Sequence, residues 1–157
     1  MNGTRISTGA ALVVGALAAA GLAFAPAALA VTPDTATINA DCGFFGSGQA
    51  TLTATQDGTA ATVTVTSAIN APLPLAEDSI ASTLTFVNAN GTTTTFSGTK
   101  NPAVATGDPV TVGPLSGTVN PGDSLESYGG SLQIVVFGIT VTCSATAPQA
   151  PGPFVFD

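Results

Sequence analysis

The chain has 157 residues with nine acidic and two basic side chains, no His, no Trp and a formal charge of −7 at pH 7. Two cations cannot line a phosphate-binding surface, which excludes nucleic acid and anionic lipid as partners. The absence of His removes the usual zinc sites and any His-activated nucleophile.

Residues 1–30 read as a secretory signal peptide. Arg5 supplies the positive start, residues 10–25 the apolar stretch, and Pro26 precedes the small-x-small signal Ala28-Leu29-Ala30. Residues 6–29 would also be long enough to cross a bilayer uncleaved. Their Ala- and Gly-rich composition and the Pro before the cleavage signal favour removal, so the mature chain is expected to start at Val31. Val at that position leaves no lipoprotein Cys, and residues 151–157 hold no sorting tail. The expectation is a secreted protein, free or loosely associated with the cell wall, with no membrane partner after cleavage.

Residues 31–157 then form one domain, long enough to bury its own core. All nine acids lie in it against Lys100 alone, a formal charge of −8. Charged residues are only 7% of the chain, so Thr, Ser and Asn supply most of the polarity. Thr is β-branched and suits a pleated, half-exposed surface, which points to an all-β fold.

A first strand is expected over residues 35–40, running into Cys42. Residues 49–55 alternate Ala50, Leu52 and Ala54 against Thr51, Thr53 and Thr55; Gln56-Asp57-Gly58 turns the chain; and residues 59–69 alternate again. The two segments read as a hairpin. Ala71-Pro72-Leu73-Pro74-Leu75 lacks two ladder N–H groups and is expected at an edge or crossover. Residues 79–87 and 92–99 flank Asn88-Ala89-Asn90-Gly91, the strongest hairpin signal in the chain. Short strands follow at residues 110–112 and 115–119. Residues 131–144 read as one long central strand, apolar on both faces around Ile134-Val135-Val136-Phe137 and bent at Gly138.

Cys42 and Cys143 form an even pair in an exported chain, most simply one disulfide tying the first strand region to the last long strand. No C-x-x-C spacing suggests redox chemistry. Seven to nine short strands with Pro and Gly turns fit a two-sheet antiparallel β-sandwich of immunoglobulin-like architecture, although the Trp that usually packs on such a disulfide is absent. The Ala-rich leader, early Cys42, Thr-rich middle and late Cys143 resemble the small secreted β-sandwich proteins of high-GC actinobacteria. That resemblance is one of style and cysteine placement; it implies export and a β-sandwich, and transfers no activity or functional residue.

Catalytic motifs fail on chemistry. Gly122-Asp123-Ser124-Leu125 spells the nucleophile block of GDSL-type hydrolases, but nothing can take the Ser124 proton where a His is required, and Asp123 capping a turn explains the match. Glu77, Asp78, Asp108, Asp123 and Glu126 could supply a carboxylate pair, yet the aromatic walls of a sugar cleft are missing. The same carboxylates show no calcium-loop pattern. Asn90-Gly91-Thr92 matches a glycosylation acceptor and is accounted for by the hairpin turn. No enzyme activity, metal or cofactor is expected.

Aromatic side chains remain. Phe44 and Phe45 follow Cys42 in a Gly-rich loop, Tyr128 precedes Gly129-Gly130, and Phe154 and Phe156 lie near the end. Packing of Phe44 or Phe45 over the disulfide, with the later pair completing the core, is the favoured reading. Phe44, Phe45 and Tyr128 are the candidates for a contact surface. The residues thus favour a secreted, non-enzymatic β-domain with a structural or protein-interaction role at the bacterial surface, its partner a cell-wall or surface protein or glycan. The alternative is an extracellular carbohydrate- or small-ligand-binding module.

Overall fold

A computed structural model describes residues 30–157; the leader through residue 29 lies outside the described residues. Nine strands follow in order: β1 (Thr35–Asp41), β2 (Ser47–Asp57), β3 (Ala60–Asn70), β4 (Ala81–Asn88), β5 (Thr93–Thr99), β6 (Pro109–Thr118), β7 (Ser124–Val136), β8 (Ile139–Ala145) and β9 (Phe154–Val155). A single 3-10 turn, Gly43–Phe45, links β1 to β2.

The alternation of the sequence sets the faces. On β2 and β3 the buried positions are Ala50, Leu52, Ala54, Ala61, Val63 and Val65. The intervening threonines pair across the outer face as Thr51↔Thr66, Thr53↔Thr64 and Thr55↔Thr62, the last with hydroxyls 2.7 Å apart. Such cross-strand pairs stabilise a solvated sheet face, which gives the abundant Thr its role.

Every strand pairing is antiparallel, but the sheet is not the two-sheet immunoglobulin-like sandwich that the spacing suggests. Around the molecule the order is β1-β2-β3-β6-β5-β4-β7-β8, and β8 returns to β1, closing an eight-stranded barrel. Two pairings decide this. The β4–β7 ladder runs from Ala81↔Val135 to Asn88↔Leu125. The β8–β1 ladder has the pairs Ala40↔Ala145 and Asp41↔Ser144. A strand with one buried face has the same sequence pattern in a barrel wall and in a sandwich layer, so alternation alone could not separate them.

Two strand assignments also change. Residues 110–112 and 115–119 are not separate strands; they belong to one continuous β6, bulged opposite Val63–Val65 around Gly113-Pro114. Residues 131–144 are not one strand, because Phe137 and Gly138 turn the chain into the β7–β8 hairpin, Val136 pairing with Ile139. β7 instead begins seven residues earlier, at Ser124. It passes Gly130 so close to the Thr85 carbonyl of β4 that no Cβ could be accommodated there.

The β8–β1 seam is stitched along its length. Thr146 N donates to Asn39 O at 2.8 Å, Thr37 pairs with Ala150, and Thr32 with Val155. β9 pairs in turn with Ser124 and Leu125 of β7. The Cys42–Cys143 disulfide locks the other end of the seam.

Aromatic side chains plug one end of the barrel. Phe86 stands edge-on to Phe96 at 5.6 Å and to Phe154 at 6.0 Å between ring centroids. Leu115, Val119, Leu125 and Phe156 complete this fully buried cluster. Phe154 and Phe156 therefore lie in the core, brought there by β9.

Candidate binding cavity

The other end of the barrel is not filled. Between its walls lies a cavity of about 280 Å³, lined almost wholly by apolar side chains. Leu52 of β2, Val65 of β3, Leu84 of β4 and Val112 of β6 form its buried floor. Leu132, Ile134 and Val136 of β7 form one wall, and Ile38 and Ala40 of β1 another. The volume is roughly twice that of an engineered apolar cavity that takes up benzene, and close to the lower bound for natural ligand pockets.

The mouth is formed by loops. Phe45, Leu73, Phe137 and Ile139 line it, and between 46% and 69% of each side chain is exposed. Phe44, at 99% exposure, stands beside Phe45 with ring centroids 5.8 Å apart. Phe45 lines the cavity together with Cys42 and Cys143, and Phe44 is almost wholly exposed. Tyr128 is half exposed on β7 and does not line the cavity. The structure thus brings Phe44 and Phe45 together and sets Tyr128 apart.

Buried hydrogen bonds hold the loops in place. Asn101 is buried, and its Oδ1 accepts from Ser79 N at 2.8 Å and Ile80 N at 2.9 Å. Its Nδ2 donates to Ala76 O and Pro102 O at 2.7 and 2.8 Å. All four polar positions of the amide are satisfied, so this one side chain fixes the segment carrying Leu75 and Ile80 into the cavity wall. Leu75 and Val104 also exchange backbone hydrogen bonds at 2.9 Å. An Asn in a Pro- and Gly-punctuated loop gives no sequence signal of this role. Leu73, Phe137 and Ile139 were equally hidden, within an edge segment and a supposed central strand.

The carboxylates weighed for catalysis are dispersed. Asp78 Oδ2 accepts from Lys100 Nζ at 2.7 Å; this bond lowers the Asp78 pKa and raises that of Lys100. Glu126 Oε1 accepts from Gln149 N at 2.9 Å and Tyr128 N at 3.1 Å, tying the β8–β9 connection to β7. Asp123 Oδ2 accepts from Asn120 N at 2.9 Å and its Oδ1 from Asn88 Nδ2 at 2.8 Å, closing the turn before Ser124. Among the described residues no three His, Cys, Asp or Glu side chains converge as a metal site would require. Around the mouth the charges are acidic: Asp41 accepts from Gly43 N at 2.7 Å, and Asp108 adjoins Ala71.

Compared with family models, curated proteins and solved structures, the chain finds no match.

Proposed function

We propose that the protein is a secreted, non-enzymatic binding domain that carries a small apolar molecule in the open end of its barrel. The observation that carries this reading is the cavity itself, about 280 Å³ between Leu52, Val65, Leu84 and Val112 below and Phe45 and Phe137 above. Apolar cavities of this size gain binding free energy from ligand burial, at roughly 25 cal/mol per Å² of apolar surface removed from water.

Of the readings open from sequence, the small-ligand alternative is favoured over a purely structural role. Carbohydrate is the weaker ligand class. A sugar needs several convergent donors and acceptors, whereas Ser67, Asn70 and Ser131 are scattered among apolar neighbours. Export agrees with the leader and with the disulfide, since a bonded pair persists in oxidising compartments.

Titration with the uncharged dye N-phenyl-1-naphthylamine tests the reading. Saturable fluorescence enhancement is expected, displaced by medium-chain alcohols. Ala40→Phe, which places a ring inside the mouth, should lower dye affinity at least about tenfold while the barrel stays folded by circular dichroism. A dye signal unchanged by Ala40→Phe would overturn the assignment of the site.

A further inference from the structure

We infer that the mouth docks on an uncharged lipid surface, with Phe44 and Phe137 as its inserting side chains. This deepens the apolar-ligand reading, on which it rests, by naming the phase from which the ligand is taken.

Phe137 is the first indication. It is the leading residue of the two-residue β7–β8 turn, with φ of 52°, followed by Gly138 at 76°. A bulky side chain is disfavoured in that left-handed region, where Asn or Asp ordinarily precedes Gly. Phe137 is also 69% exposed, so core packing does not account for it. Neither the turn nor the core asks for a ring at this position, which points to a contact outside the barrel.

Phe44 repeats the pattern from another loop. It lies in a three-residue 3-10 turn held by the neighbouring disulfide and by Asp41, and it buries nothing. Phe45, Leu73 and Ile139 continue the apolar rim between the two tips.

Shape and charge select the partner. The rim surrounds an opening, whereas a protein interface has its best-packed contacts at the centre. A fluid apolar phase conforms to such a rim and supplies molecules to the cavity behind it. The described residues carry one cation, Lys100, held by Asp78, while Asp41 and Asp108 stand near the mouth. Anionic headgroups would be repelled, so the surface is zwitterionic or uncharged. The expectation of no membrane partner after leader cleavage, drawn from the lack of a lipid site and a sorting tail, did not include this rim, because its residues come from three loops far apart in sequence.

Flotation of the purified protein with phosphatidylcholine vesicles tests the proposal. Wild type should float with the vesicles, and a Phe44→Ser variant, altered at a tip that does not line the cavity, should partition roughly ten- to a hundredfold less. Phe44 is 99% exposed, so loss of folding cannot account for the difference. Dye binding in vesicle-free solution is measured on both proteins. Retained dye binding with lost flotation is the expected result. Wild type that binds dye but never floats would overturn the docking proposal and leave the cavity reading intact. Flotation without dye binding would fail the cavity reading instead, and with it the ligand-transfer role proposed for the rim. Flotation that requires phosphatidylglycerol, or a dimer in sedimentation that Phe44→Ser abolishes, would also overturn docking on an uncharged surface.

Discussion

Cys42 and Cys143 oppose each other across the β1–β8 seam, one register step beyond Asp41↔Ser144, with Cα atoms 4.0 Å apart. The bond continues as a covalent rung a ladder that has only two backbone pairs. It closes a loop with a sequence separation of 101 residues and borders the cavity. Replacing both cysteines with Ser is expected to destabilise the fold by about 4 kcal/mol in the chain-entropy model. Urea unfolding measures this. Dye affinity should fall with it at denaturant concentrations where the barrel is still folded, because the seam frays at the mouth.

Asn101→Ala should cost about 2–4 kcal/mol. It leaves the Ser79 and Ile80 N–H groups and the Ala76 and Pro102 carbonyls without their shared partner. Asn101→Asp keeps the acceptor for both N–H groups and loses the donors. Its second carboxylate oxygen then faces the Ala76 and Pro102 carbonyls, so equilibrium unfolding should find both variants destabilised.

At the plugged end the backbone of β6 passes directly over an aromatic ring. A Cβ on Gly117 would lie 2.6 Å from the Phe96 side chain. Gly117→Ala is expected to lower stability by about 1–3 kcal/mol through this overlap, read from the thermal midpoint. Since Gly117 is remote from the cavity, dye affinity should not change.

The Asp78–Lys100 pair sets a pH expectation. The Asp78 pKa is depressed, so its contribution is present above the ordinary value of 3.8 and fades as pH falls through the lower folded-state value. The Lys100 pKa is raised, so its contribution is present below 10.5 and fades as pH rises through the higher folded-state value. Both side chains are largely exposed, so the effect is small and salt-sensitive. With no His in the chain, the melting temperature should be nearly flat from about pH 5 to pH 9.

Much of the barrel wall was legible because period-two alternation reports a buried face directly, as Leu52, Val63 and Phe86 illustrate. Closure was not, since β4–β7 and β8–β1 are long-range pairings with no local signature. The cavity was hidden for a related reason: an inward Leu84 or Ile134 has the same sequence pattern whether it meets another side chain or open space. Phe44 and Phe45 stood out through their flanking glycines. Phe137 did not, because a Phe at positive φ between apolar neighbours reads as the middle of a strand.

The central claim is that an apolar molecule occupies the barrel between its β-strands. Methyl-resolved NMR with added 1-decanol tests it most directly. The account predicts saturable shifts of the Leu52, Val65, Leu84, Val112 and Ile134 methyls, with the Leu115, Val119 and Leu125 methyls of the plugged end unmoved. Shifts confined to Leu73 and Ile139 at the mouth, or absent throughout, would contradict it.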